Sequence, residues 1–169
     1  MLLRLLPLLG LFLLAQATPA EQSATPNPGV PEACPVTQPA TPPFVPPTPY
    51  PSNAGPEWFW FGTRKLWTEL PAHGVWSQLP RTESGYTQKM AWLSEGNHWR
   101  LEPHPAITVV GRRLDGASSP LTVTWINNGH TETLESVMGV RVNIPSLGCW
   151  EITGRYEDDQ LTFVVWVAR

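Results

Sequence analysis

The 169-residue chain lacks the short motifs that carry most enzymatic chemistry. It has no G-x-S-x-G nucleophile elbow, no H-E-x-x-H metal pair, no phosphate-binding glycine loop and no C-x-x-C pair. Aspartate is scarce, because only Asp115, Asp158 and Asp159 are present. The adjacent pair falls at a predicted turn, where both carboxylates would stay ionised in water, which does not suit a tuned acid–base pair. We therefore expect no enzyme, no catalytic residue, no metal and no cofactor.

Basic charge is also in short supply. The chain has 11 lysines and arginines against 14 acidic residues, a net charge of −3 at pH 7. Proteins that bind nucleic acid usually present a basic face to the phosphates. We expect no nucleic-acid partner. The sequence does not identify the partner, and the candidates are a cell-surface protein and a polysaccharide.

No apolar run is long enough to span a bilayer, which takes roughly 20 residues. The longest, Leu5–Leu14, follows the single charge of Arg4 and precedes the small-residue pattern Ala15–Ala17. This order is typical of a secretory signal peptide, so residues 1–17 are predicted to be removed after Ala17, with Ala20 as the second choice. The mature protein is expected in the cell envelope or outside the cell, with no transmembrane anchor.

The mature chain divides near residue 56. Of the 20 prolines, 13 lie between Thr18 and Pro56, in a stretch otherwise rich in Ala, Thr and Ser. Such a composition buries too little apolar surface to form a core and favours extended polyproline II. Residues 18–56 are predicted to be an extended lead. Its bulky residues Phe44, Val45 and Tyr50 leave open whether the lead docks on the domain or acts as a free spacer.

Residues 57–169 have the texture of an all-β domain. Short runs of β-branched and aromatic residues alternate with Gly, Pro, Asn and Ser clusters, and no window shows a helical period. The pattern predicts an antiparallel two-sheet sandwich of immunoglobulin-like type. The predicted strands are 58–61, 65–70, 74–78, 87–93, 106–114, 121–126, 131–136, 139–143, 149–156 and 161–168.

Two hairpins are predicted within this domain. Residues 127–130 contain Asn-Gly, which accepts the positive φ angles of a type I′ turn, between strands 121–126 and 131–136. Residues 157–160 join the last two strands. The final strand, 161–168, is apolar on both faces, which indicates a central place in its sheet.

Cys34 and Cys149 are the only cysteines. In an oxidising compartment pairing is the default, and a bond between them would pin the lead onto the domain. The alternative is two free thiols, one of them a nucleophile. No histidine is near either cysteine in the sequence, which disfavours that alternative.

The nine tryptophans are the most unusual feature of the composition. Trp125 alternates with Val123 and Leu121, which predicts a core position, and Trp150 is also expected to be buried. An exposed row of tryptophans would instead form a stacking platform for sugars. The candidate stacking residues are Trp58, Trp60, Trp67 and Trp76.

Four motifs resemble those of an uncharacterised family of small exported bacterial β-sandwich proteins. They are C-P-V-T at residues 34–37, L-W-T at 66–68, G-R-R-L-D at 111–115 and G-C-W-E-I-T-G at 148–154, which is followed by L-T-F-V at 161–164. They occur in the family's order, and Ile152 stands where valine is common. The resemblance implies a bacterial envelope or extracellular setting and adds support for the Cys34–Cys149 pair. It supplies no catalytic residues.

Three functional hypotheses follow. The first is a non-enzymatic exported module with an interaction or structural role. The second is a carbohydrate-binding module that uses exposed tryptophans. The third is a small secreted hydrolase, which would require His98, His104 and Glu102 to converge in one pocket.

Overall fold

The computed structural model describes residues 29–169, which form two β-sheets packed against each other. Within these residues the chain has ten strands and no helix. The strands are β1 (Trp58–Gly62), β2 (Trp67–Pro71), β3 (Val75–Trp76), β4 (Arg81–Thr82), β5 (Gly85–Leu93), β6 (Thr108–Arg113), β7 (Thr122–Gly129), β8 (Val137–Ile144), β9 (Gly148–Tyr156) and β10 (Asp159–Val167). The predicted all-β class is confirmed. The predicted signal peptide, residues 1–17, and the first part of the lead lie outside the described residues.

The two sheets differ in size. Sheet A has the order β1-β2-β5-β8-β7, with β4 beside β5, and sheet B has the order β3-β10-β9-β6. Neighbouring strands are antiparallel except β3 and β10, which are parallel. Strand β10 lies inside its sheet, between β3 and β9, as its two apolar faces predict. The two-sheet sandwich is confirmed, whereas an immunoglobulin-like connectivity stays a prediction.

Large aromatic side chains fill the space between the sheets. Phe163 of β10 contacts the rings of Trp76 and Trp92, with centroids 6.1 Å and 5.8 Å away. Trp150 and Ile152 of β9 point into the same core and are fully buried. Because side chains alternate along a strand, the residues between these core positions lie on the outer faces of the sheets.

Glycines of the recognised motifs serve this packing. A Cβ at Gly154 would overlap the ring of Trp92. A Cβ at Gly148 would lie 2.6 Å from the Arg113 guanidinium, which pairs with Asp115 at 2.7 Å. That ion pair lowers the pKa of the Asp115 carboxyl. Gly154 therefore lets the two sheets approach each other at Trp92, and Gly148 leaves room for the Arg113–Asp115 pair where β6 and β9 meet.

The proline-rich lead docks on the domain as a strap, defined here as residues 34–51. Cys34 bonds to Cys149 on the outer face of sheet B, with 115 residues between them in the sequence. The Thr37 amide then donates to the carbonyl of Val164 at 2.9 Å, and the Thr37 hydroxyl accepts from the Val164 amide at 2.8 Å. The predicted disulfide is confirmed, and the strap begins on the edge of β10.

The far end of the strap lies on the outer face of sheet A. The ring of Tyr50 meets Trp67 edge-on at 5.1 Å, and Phe44 approaches the same indole at 6.1 Å. The Tyr50 hydroxyl donates to the carbonyl of Ser136 at 3.2 Å. The strap thus passes around one edge of the sandwich, from one outer face to the other. Docking, not a free spacer, describes this part of the lead.

The predicted turn at residues 127–130 is wrong. Asn127, Asn128 and Gly129 continue β7 and pair with β8, and residues 131–136 form a loop where a strand was predicted. The Asn128 amide is buried and exchanges hydrogen bonds of 3.1 Å and 2.5 Å with the amide of Asn97. This tertiary pairing holds Asn128 extended and overrides the local turn preference of Asn-Gly. The hairpin between β9 and β10 is confirmed, with Glu157 and Asp158 in its turn.

Candidate ligand-binding face

An irregularity in β7 places an aromatic ring on the outer face of sheet A. Val123 is the partner of Val142, whereas Trp125 is the partner of Arg141, so the register shifts between them. Because Val142 points into the core and Arg141 points outward, Val123 and Trp125 lie on opposite faces. Trp125 is 41% exposed. The prediction that Trp125 belongs to the core is therefore wrong, since simple alternation does not hold across a β-bulge.

The floor beside this ring consists of small residues. Gly139 of β8 lies next to Ala91 of β5 in register, and both face outward. A Cβ on Gly139 would lie 3.0 Å from Cζ3 and 3.3 Å from Cη2 of Trp125, so the ring packs directly over this glycine. The result is a shallow floor with a half-exposed indole at one side.

Two cations stand in the next row of the same face. Lys89 and Arg141 are Cα partners in the β5–β8 ladder, and both side chains point outward. The Arg141 guanidinium lies 5.6 Å from the centroid of the Trp125 ring. Within residues 29–169 neither cation takes part in an ion pair. Like charges directly opposite each other across two strands destabilise a sheet.

We use the name bare face for the surface formed by Lys89, Ala91, Gly139, Arg141 and Trp125. At one end of this face the strap covers sheet A, and Ala91 packs against the cluster of Tyr50, Trp67 and Leu93 that the strap helps to form. At another side Glu69 of β2 is half-buried and has no hydrogen-bond partner among the described residues. Burial raises the pKa of the Glu69 carboxyl above its ordinary value. Strands β2 and β5 pair only at their Trp67 and Thr68 positions, so Glu69 is not in register with the two cations.

The predicted stacking residues do not come together on one surface. Trp60 and Trp67 lie under the strap, where the Trp60 indole donates to the carbonyl of Pro51 at 3.0 Å. Trp76 is buried in the main core. Only Trp58 of the four is substantially exposed, at 40%, and it lies on β1 at the opposite side of sheet A from Trp125. Trp125, which was predicted to lie in the core, is instead 41% exposed beside the floor of small residues.

The outer face of sheet B offers a contrasting surface. A cavity of about 220 Å³ lies there, lined by Val110, Gly111, Arg112, Glu151 and Thr153. Its one cation is already neutralised, because Arg112 Nε donates to Glu151 Oε1 at 2.7 Å. The cavity is smaller than the roughly 300–1,000 Å³ of ordinary small-molecule sites. It has no unpaired charge with which to orient a ligand.

The residues of the hydrolase hypothesis do not form a cluster. Both oxygens of the Glu102 carboxylate are engaged, since one accepts from the Tyr156 hydroxyl at 2.5 Å and the other from the Ala106 amide at 2.9 Å. His98 accepts the Arg100 amide through its own Nδ1 at 3.3 Å, and His104 is exposed. Across residues 29–169 no three His, Cys, Asp or Glu side chains are placed to hold a metal ion.

Comparisons with protein-family models, with curated protein sequences and with solved structures found no match. Among residues 29–169, no helix is present that is long and apolar enough to cross a membrane.

Proposed function

We propose that this protein is an exported, non-enzymatic β-sandwich module that binds its ligand on the bare face of sheet A. The observation that carries the proposal is the register shift in β7, which turns Trp125 out of the core and onto a floor of small residues. Bulges are common where a side chain is re-aimed for function. Exposing a large indole forgoes the stabilisation that its burial would contribute, so binding gives the exposure a purpose.

Export is supported by two features of the chain. Residues 1–17 have the pattern of a secretory signal peptide, and the Cys34–Cys149 bond belongs to the oxidising compartments outside the cytoplasm. The resemblance of the four motifs to small exported bacterial proteins favours a bacterial envelope or an extracellular setting. The domain, residues 57–169, then functions with its strap attached, because the disulfide ties the strap to β9.

A carbohydrate is the ligand class that the bare face favours. A sugar ring has an apolar face of C–H groups, which stacks on an indole, and hydroxyls, which bond to nearby charged side chains. Trp125 supplies the ring, and Lys89 and Arg141 supply donors one to two strands away, within about 10 Å at the usual strand spacing. The interaction is made by Trp125, whereas Trp60, Trp67 and Trp76 are enclosed.

The test uses the mature protein, residues 18–169, titrated with a panel of polysaccharides while tryptophan fluorescence and released reducing ends are both measured. We expect a ligand-dependent fluorescence change that Trp125→Phe abolishes and Trp58→Phe retains, with no release of reducing ends. Release of reducing ends would show an enzyme and contradict the proposal. A fluorescence change that survives Trp125→Phe would show that the ligand binds elsewhere.

A further inference from the structure

The two cations of the bare face bear on the charge of the carbohydrate that this surface would bind. Lys89 and Arg141 lie directly opposite each other, so their Cβ atoms are about 5 Å apart by the geometry of an antiparallel pair. Their mutual repulsion is not relieved by any carboxylate in the part of the chain that the structure describes. A ligand carboxylate placed between them would relieve it.

Several other arginines of the domain have polar side-chain partners, whereas Arg100 lies over the Trp99 ring at 5.0 Å. Arg112 pairs with Glu151 at 2.7 Å, and Arg113 pairs with Asp115 at the same distance. Arg155 donates to the side-chain oxygen of Gln160 at 2.8 Å. Arg141 instead has the indole of Trp125 as its neighbour, which leaves its N–H groups available. An arginine on an aromatic face keeps its donor edge free for a planar carboxylate.

We propose that the ligand of the bare face is an acidic polysaccharide whose sugar ring stacks on Trp125 and whose carboxylate lies between Lys89 and Arg141. This inference rests on the proposed binding function and adds the charge of the ligand. The row Lys89, Arg141, Trp125 runs across three adjacent strands, which spans about 10 Å at the usual spacing of about 4.8 Å. One sugar residue with its carboxyl group fits that length.

Charge on the rest of this surface is compatible with such a ligand. Glu69 is the one carboxyl of β2. Burial raises its pKa, which disfavours the charged form of this side chain. Glu135 interacts electrostatically with Tyr50, which lies at the strap-covered end of the sheet. Neither forms an ion pair with Lys89 or Arg141, so neither carboxylate occupies the position proposed for the ligand.

The test compares polygalacturonate with the same polymer after full methyl esterification, which removes the charge and keeps the sugar rings. Binding to residues 18–169 is measured by isothermal titration calorimetry at low salt. We expect the acidic polymer to bind at least tenfold more tightly than the ester, and the difference to shrink as salt screens the charges. Poly-L-glutamate, which has carboxylates and no sugar rings, should bind more weakly than polygalacturonate.

Matched variants locate the effect. Lys89→Gln and Arg141→Gln should each weaken binding of polygalacturonate by about tenfold, the size of one charge-assisted contact. Arg112→Gln removes the same charge from the outer face of sheet B and should leave the affinity unchanged. Trp125→Ala should weaken binding of polygalacturonate about tenfold and leave binding of poly-L-glutamate unchanged.

The inference is overturned if the ester binds as tightly as the acid, if Arg112→Gln weakens binding as much as Arg141→Gln, or if polygalacturonate does not bind. If poly-L-glutamate binds as tightly as polygalacturonate, the bare face is a general polyanion site, and the proposal of an acidic polysaccharide is also overturned. Tight binding of the ester through Trp125 would support the proposed binding function and contradict the preference for an acidic ligand. Release of reducing ends would instead remove the proposed function itself.

Discussion

Replacing Cys34 and Cys149 by alanine should remove a large part of the stability of this domain. The bond closes a loop of 115 residues, and in the chain-entropy model such a loop contributes about 5 kcal/mol to the free energy of unfolding. Small domains are stable by only about 5–15 kcal/mol in total. Both cysteines are also buried, at 5% and 0% exposure, so lost packing adds to the effect.

Urea unfolding of residues 18–169, followed by far-ultraviolet circular dichroism, measures this difference. The double alanine variant should unfold at a much lower urea concentration than the oxidised wild type. The urea midpoint of the wild type in excess reductant should shift toward that of the variant, because both proteins then lack the cross-link. Tyr50→Phe is the control for the other end of the strap: it keeps the ring on Trp67, loses the bond to the Ser136 carbonyl and should cost only about 1 kcal/mol.

A loss below about 2 kcal/mol on removing the disulfide would contradict the chain-entropy explanation, since its value for a loop this long is more than twice as large. It would mean that the strap stays ordered against the sheets, or that the unfolded chain stays compact, without the covalent bond. Acrylamide quenching separates these cases, because release of the strap would expose Trp60 and Trp67, which the strap now covers.

Three further predictions concern single residues. Gly154→Ala should lower the free energy of unfolding by about 1–3 kcal/mol in urea titrations, because the new methyl group overlaps the buried Trp92 ring. Tyr156→Phe removes the hydroxyl that donates to Glu102 and should cost about 1.5–3 kcal/mol by the same assay, the usual value for a hydrogen bond to a charged group. Glu69→Gln should stabilise the domain at neutral pH and not in acid. Because burial raises the folded-state pKa of Glu69, wild type loses stability relative to the variant as pH rises through that pKa, which thermal unfolding at several pH values would detect.

The sequence was sufficient where local pattern and tertiary structure agree. Alternation in β1 puts Phe59 and Phe61 toward the core and Trp60 on the other face, as a period of two requires. The hairpin after Tyr156 forms at the predicted place. In these segments the period of two and the turn chemistry decide the structure without help from distant residues.

The sequence was insufficient where one residue breaks the period or where a distant contact decides the outcome. Trp125 is displaced from the core by a shift of a single residue in register, which alternation cannot reveal. Asn128 is held in a strand by Asn97, 31 residues away, in place of the turn that Asn-Gly favours. The prolines of the lead indicated an extended segment, but docking depends on Trp67 offering a surface for Tyr50.

The same limits apply to the candidate site. The pairing of Lys89 with Arg141 joins residues 52 positions apart, so their closeness is a consequence of the β5–β8 register. The nine tryptophans were the basis for predicting an aromatic stacking surface. A tryptophan can contact a ligand only where its ring is exposed. The strap covers Trp60 and Trp67, and the sequence alone does not show this.

Chemical-shift mapping by solution NMR would show directly whether the ligand binds on the bare face. Isotope-labelled protein, residues 18–169, is titrated with a short galacturonate oligosaccharide, and backbone amide shifts are followed together with the indole N–H of Trp125. We expect shifts confined to Ala91, Gly139 and their neighbours on the bare face, with the Trp125 shifts among the largest. Shifts centred on Val110 and Thr153 of sheet B, or no shifts in sheet A, would contradict it.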